Sequence, residues 1–334
     1  MSGADFAAGM AAFLGAELGG TVEIGAVTAL SAGARRRNVS FDAVHDGRTL
    51  PLVATIVPAE VELMPIEVEG AVRETVRAQG VPTPRVVACC VDRAVLGAPF
   101  LVSERIAGET VPRRVLRLIE AEGTAGKVAA QIGAAMAGLH AVDPALAPDG
   151  LPGAPGDDPA AAVLEEIGRG VRGLLWDRPV VRHALRSIER RVPAPPARRA
   201  IVHTDLRVGN IVVGPEGLRS ILDWEGAQNH GDPMRDLAWP MLRMWRFGAD
   251  AKEFGGLVDR AEFVAAYENA GGVFDLERFR WWKTAATLAW GVLLAGQAAA
   301  YTSGQTRDIV MAASGRRVSE IEWDLLMQIR PSAS

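Results

Sequence analysis

The sequence is poor in lysine. Of its 334 residues only Lys127, Lys252 and Lys283 are lysines, so the first 126 residues must build any basic site from arginine. Cysteine is as scarce. Cys89 and Cys90 are adjacent; chain neighbours rarely bridge and two thiols make no zinc site, which predicts buried, reduced side chains in a cytoplasmic protein. There is no basic surplus either. A net charge of −4 argues against electrostatic binding to nucleic acid or to an acidic membrane surface. No apolar run is long enough to span a bilayer, and the N-terminus lacks the basic segment of a signal peptide. What remains, 49% apolar and 23% charged residues, is the composition of a soluble globular protein long enough for two lobes, each with a core.

Apolar residues at Phe6, Met10, Phe13 and Leu14 predict a short amphipathic helix ending near Gly19. From about 21 to 57 the pattern alternates, and "HDGR" joins two strand-like runs as a hairpin. A helix is expected around 60 to 78 with Val68, Val72 and Val76 on one face. "GVPTPRVVACCVD" and "GAPFLVSERIAGE" read as two further strands. Residues 1–106 thus predict an antiparallel sheet with a helix against it. Beyond Gly108 helical spacing dominates, with Val128, Ile132, Met136 and Leu139 on one face and a Pro/Gly-rich loop over 144–159. The expected class is α+β, with residues 107–334 as a larger, mostly helical lobe.

The chemistry concentrates in "IVHTDLRVGN", residues 201 to 210, and in the strand–turn–strand "NIVVGPEGLRSILDWE" that follows. An aspartate on a loop, Asp205, can orient a hydroxyl and accept its proton as it attacks phosphorus. Asn210, five residues later, and Asp223, at the end of the paired strand, can converge on one Mg2+, an ion that takes oxygen ligands and bridges nucleotide phosphates. A second His-x-Asp pair, His230 and Asp232, raises the alternative of a metal-bound hydrolase. "GDPMRDLAWPMLRMW" favours a helix N-cap at Asp232 with Pro233 at N1, ahead of a helical run carrying Leu237, Met241 and Trp245. His203 reads as a packing and hydrogen-bonding residue, Trp224 as core.

"HTDLRVGN", "ILDWE" and "GDPMRDLAW" resemble the aminoglycoside phosphotransferase and choline kinase-like family, whose fold is that of the protein kinases. "LSAGARRRNVSFD", "MWRFG" and "GRRVSEIEWDLL" resemble more narrowly the branch related to kinase domains fused to acyl-CoA dehydrogenases. The resemblance covers roughly residues 5 to 327. It implies a two-lobed kinase-like fold using ATP or GTP with Mg2+, residues 1–106 binding nucleotide and 107–334 carrying catalysis and acceptor binding. It implies Asp205 as base and Asn210 and Asp223 on the metal. Ser31, Gly33 and Ala34 would lie over the phosphates, and the backbone from Glu104 to Ile106 would meet adenine. Glu225 would approach a second ion or the substrate, and Asp236 would brace the catalytic loop.

The chain departs from the family pattern in three places. Thr55 and Ile56 stand where a basic residue usually reaches the nucleotide phosphates, and among the nearby arginines Arg35, Arg36 and Arg37 are the candidates to replace it, a solvated turn being the alternative for that run. The helix partner of that cation would be Glu69, whose alternative is an i,i+4 pair with Arg73. Ala32 and Thr204 occupy positions where glycine is common.

Residues 241–334 hold eleven acidic and eleven basic residues together with Trp245, Trp281, Trp282, Trp290 and Trp323. A pocket for a polycation would favour an acidic surplus; a tryptophan or two can line an apolar wall. The resemblance implies a small-molecule hydroxyl substrate, by analogy a 4-hydroxyacyl-CoA, with an aminoglycoside or macrolide as the alternative. A pseudokinase that binds without phosphoryl transfer is the alternative from another class.

Overall fold

A computed structural model describes residues 3–30, 36–154 and 156–330. The chain divides into two compact units. One comprises Met1–Thr124, Ala145–Pro152 and Gly209–Ala227, the other Ala125–Pro144, Gly153–Val208 and Gln228–Ser334. The class is α+β, an N-terminal antiparallel sheet followed by a mostly helical region, as the residue pattern predicts.

The first unit is built on strands β1 (Val22–Leu30), β2 (Arg37–His45), β3 (Arg48–Ile56), β4 (Val86–Cys90) and β5 (Phe100–Glu104), in the order β1-β2-β3-β5-β4. The "HDGR" turn closes the β2–β3 hairpin. Asp46 and Gly47 both take positive φ (47° and 72°), the requirement of a type I′ turn whose twist matches the strands. The resulting register sets Phe41 opposite Leu52, and both are buried. Helix Gly3–Leu18 covers this face with Phe6, Met10 and Leu14. Its Phe6 meets Phe41 edge-on at 5.5 Å and Phe13 meets Phe100 at 5.0 Å.

Helix Ile66–Ala78 buries Val68, Val72 and Val76 as its spacing predicts. It starts later than expected, after a separate 3-10 turn Ala59–Val61. Pro65 is the reason: it has no N–H to donate and forces the residue before it towards extended geometry. Three short elements were not apparent in the sequence pattern, namely the helices Arg93–Leu96 and Pro112–Ala121 and the last of the four strands that follow. These are β6 (Ala200–Val202), β7 (Ile211–Gly214), β8 (Gly217–Ile221) and β9 (Gln228–Gly231), paired as β6 with β9 and β7 with β8.

The second unit is helical around Leu276–Thr302, which buries Phe279, Trp281, Trp282 and Leu288. Aspartates start several of its helices. Asp158 accepts from Ala160 and Ala161 ahead of Pro159, and Asp275 accepts from Arg278. The helical run after Asp232 breaks earlier than its apolar spacing suggests. The α-helix spans Pro233–Ala238 and gives way to 3-10 turns at Trp239–Met241 and Arg243–Arg246. Pro240 cannot donate to the preceding turn, and Leu242 is extended (ψ 143°). Among the described residues no helix is long and apolar enough to cross a membrane.

Candidate functional site

The candidate residues fall into two constellations, one in each unit. In the first unit the β7–β8 hairpin pairs Ile211 with Ile221, and Leu222 N–H donates to the Asn210 carbonyl at 2.8 Å. This brings Asn210, buried, and Asp223, half-buried, to the same end of the hairpin. Asp223 has φ of 65°, a left-handed conformation costly for a residue with Cβ and characteristic of functional positions. Trp224 is fully buried and its indole donates to the Ile221 carbonyl, so the residue next to Asp223 is anchored in the core.

A network of charges lies beside this hairpin. Arg36 donates to Glu69 Oε2 at 2.7 Å and contacts the carboxylate of Glu225. Its side chain is only 8% exposed. Burial opposes the charged guanidinium, but Glu69, Glu225 and Asp223 outweigh it and hold its pKa above the ordinary arginine value. Arg36 is therefore not the exposed turn residue that an arginine run suggests. Its Nη2 is buried without a partner among the described residues, an unusual state for so polar a group.

The i,i+4 alternative for Glu69 is not realised. Arg73 donates instead to the Pro84 carbonyl at 3.4 Å, and burial lowers its pKa although Glu69 partly offsets this. Thr55, where a basic residue is usual, gives its hydroxyl to Asn38 at 2.8 Å, and Ile56 is core. Ser31, Gly33 and Ala34, like Ala32 and Arg35, lie outside the described residues. At the end of β5, Glu104 pairs with Arg85 and Arg105 N–H bonds Pro51. The Ile106 backbone has no hydrogen-bond partner among the described residues. Cys89 and Cys90 are free thiols, and burial pushes Cys89 up to about 12.

The second unit carries the His203–Asp205 loop. Asp236, fully buried, takes the backbone N–H of His203 at 2.7 Å and of Thr204 at 2.6 Å, and meets His140 Nε2 at 3.2 Å. Burial raises a carboxyl pKa, yet His140 and the bonds to His203 outweigh it and hold Asp236 below its usual value. Tyr267, on the other nitrogen of His140 at 2.8 Å, is pushed up by burial and then by Asp236 and Asp232. His203 is itself buried and accepts the Asp205 N–H on Nδ1 at 3.3 Å. Thr204 adopts φ of 70°, which a β-branched residue rarely does; the two bonds from Asp236 hold the loop in that form.

Asp205 receives two side-chain donors on the same oxygen. Trp239 Nε1 bonds Oδ1 at 2.6 Å, and Arg207 Nε lies 3.4 Å from it. Neither residue was singled out in the sequence. Trp239 could have been, since it follows Asp236 by three positions and so shares its side of the helix turn. Asp232 is a cap: fully buried, it accepts from Met234 N–H, Arg278 Nη1 and Trp282 Nε1 at 2.9, 2.9 and 2.7 Å. Among the described residues there is no group of three or more His, Cys, Asp or Glu that could hold a metal ion.

Residues 26–282 match the model of the phosphotransferase enzyme family APH. Several solved structures share the fold. A putative aminoglycoside phosphotransferase from Ralstonia eutropha JMP134 is 20% identical with a TM-score of 0.73, over 96% of this chain and 97% of that one. Aminoglycoside phosphotransferase APH(4)-Ia, in a ternary complex with AMP-PNP and hygromycin B, is 16% identical with a TM-score of 0.67, over 97% and 99%. A choline/ethanolamine kinase family protein from Mesorhizobium loti is 20% identical with a TM-score of 0.56, over 90% and 88%. At these identities the likeness is one of fold. No curated protein matches the sequence.

Proposed function

The chain belongs to the APH phosphotransferase enzyme family of small-molecule, kinase-like enzymes, and from that premise we propose that it moves the γ-phosphoryl group of ATP or GTP to the hydroxyl of a small molecule in the cytoplasm. Residues 1–106 bind nucleotide and 107–334 carry catalysis and acceptor binding. Asp205 is the base, and Asn210 and Asp223 hold Mg2+. The donor set fits that ion: Asn210 would offer an amide oxygen and Asp223 a carboxylate oxygen from one hairpin end, the hard oxygen ligands that Mg2+ takes. When bound, Mg2+ neutralises the phosphate charge. The acceptor oxygen forms the new bond to phosphorus, the bond from γ-phosphorus to the bridging oxygen breaks, the nucleoside diphosphate (ADP or GDP) leaves, and the hydroxyl proton passes to Asp205.

The observation that carries this reading is the buried Arg36 network beside Asp223. It supports Arg36 as the cation for the phosphates in a lobe without lysine, with Glu69 orienting it and Glu225 sharing its charge. Ser31, Gly33 and Ala34 complete the cover over the phosphates, and Glu104 to Ile106 meet the adenine; the unpaired Ile106 backbone suits that role. His203 and Asp236 brace the loop of Asp205. For the acceptor we favour a hydroxyacyl thioester such as a 4-hydroxyacyl-CoA, by analogy with the acyl-CoA dehydrogenase-linked branch.

The test is transfer of labelled γ-phosphate from ATP to a panel of 4-hydroxyacyl-CoAs, aminoglycosides and macrolides. Product with the thioesters that disappears in Asp205→Asn supports the proposal. Product only with the antibiotics overturns the acceptor, and nucleotide binding without product on any acceptor marks a pseudokinase.

A further inference from the structure

The surroundings of Asp205 suggest what it acts on. Trp239, Trp245 and Trp290 pack against one another with ring centroids 5.8, 5.9 and 5.6 Å apart. All three are half-buried, unlike Trp281 and Trp282, which are core. The Asp205 side chain, which Trp239 bonds, is 32% exposed, and each of the three half-buried tryptophans keeps part of its surface open to solvent. The corner is tied to the base by the Trp239 indole N–H on Oδ1 at 2.6 Å. Its fourth member is Arg207, whose guanidinium lies 4.8 Å from the Trp245 ring centre while its Nε faces the same oxygen. Trp239 gives its N–H to Asp205. The Trp245 and Trp290 indole nitrogens are buried with no hydrogen-bond partner among the described residues, so what these two rings offer at the surface is carbon. Arg207 takes the Trp245 face that could otherwise attract a cation.

We propose that Trp239, Trp245 and Trp290 form the acceptor wall: Trp239 positions Asp205 through Oδ1, and the three indoles select an alcohol whose hydroxyl sits on an apolar, uncharged body. This assignment rests on the phosphotransferase reading above. A polycation is disfavoured by the guanidinium of Arg207 beside the base. Indole surface rewards each methylene that it removes from water.

The experiment measures Mg·ATP binding by calorimetry and then transfer kinetics with 4-hydroxybutanoyl-, 4-hydroxyhexanoyl- and 4-hydroxyoctanoyl-CoA and with kanamycin. For wild type, kcat/KM should rise about fourfold per added methylene. Trp239→Phe, which keeps a ring and loses the N–H, should bind Mg·ATP normally and hold KM while kcat falls about 100-fold through misplacement of the base. Trp290→Leu should raise KM and flatten the chain-length dependence. A merely structural role would move neither the split between kcat and KM nor that slope. Wild-type kcat in Trp239→Phe, no chain-length dependence, preference for kanamycin, or nucleotide binding with none of the thioesters phosphorylated would each overturn the assignment. A wild type that binds no Mg·ATP fails at the first step and refutes the kinase reading itself, taking this assignment with it.

Discussion

Arg36 offers the sharpest perturbation. Its guanidinium is buried between Glu69, whose side chain is 3% exposed, and Glu225, at 24%. Arg36→Gln removes the partner of a buried carboxylate, which typically costs about 3–5 kcal/mol of folding stability. A loss of nucleotide binding in that variant alone would be ambiguous. Arg36→Gln combined with Glu69→Gln removes that ion pair as a unit and restores part of the stability; Glu225, at 24% exposed, stays partly solvated, and Arg73 loses the Glu69 charge. Nucleotide binding should not recover in the double variant. A charge-assisted bond to phosphate contributes roughly 1.5–3 kcal/mol, so the Kd for Mg·ATP should weaken about 10- to 150-fold. Arg36→Lys keeps the charge and should lose less. Urea melts monitor folding and calorimetry monitors nucleotide. If the refolded double variant binds Mg·ATP as tightly as wild type, Arg36 is a structural ion-pair partner and the phosphate cation lies elsewhere.

Three further outcomes follow from the second unit. Asp236 has a depressed pKa, so its ionised form stabilises the fold above the unfolded carboxylate value of about 3.9. That stability drains as pH falls through the lower folded value; Asp236→Ala should cost roughly 3–5 kcal/mol at neutral pH and flatten the acid limb of stability measured by urea melts. Asp232→Ala should destabilise by a similar amount, about 3–5 kcal/mol, with no change in Mg2+ dependence of nucleotide binding; altered metal affinity would revive a ligand role. Thr204→Gly should raise stability by about 1 kcal/mol through relief of the left-handed conformation, and a loss of stability would mean that the threonine's own bonds outweigh the strain.

What the sequence made legible was local. The "HDGR" hairpin and the Asp232–Pro233 cap depend on neighbours in the chain, and the structure realises both. The Asn210–Asp223 hairpin was readable for the same reason. Pro65 and Pro240 carried the information that splits their helical runs, but apolar spacing outweighed them in the sequence pattern. The long-range pairs were legible only in part. The resemblance offered Arg36 among three arginines and Glu69 as the partner of the cation, which meet across 33 positions; no periodicity encodes which arginine of a run turns inward, or that Trp239 reaches Asp205 across 34. The i,i+4 partner of Glu69 was the reasonable local choice, and tertiary packing overrode it.

On the reading proposed here, the chain binds a magnesium nucleotide without a lysine in its first 126 residues. Calorimetric titration of Mg·ATP and Mg·GTP into wild type and Asp223→Asn tests it most directly. Metal-dependent binding in wild type, lost in Asp223→Asn, is the predicted result. Failure of folded wild type to bind either nucleotide would mean that Arg36, Asn210 and Asp223 do not form a nucleotide site.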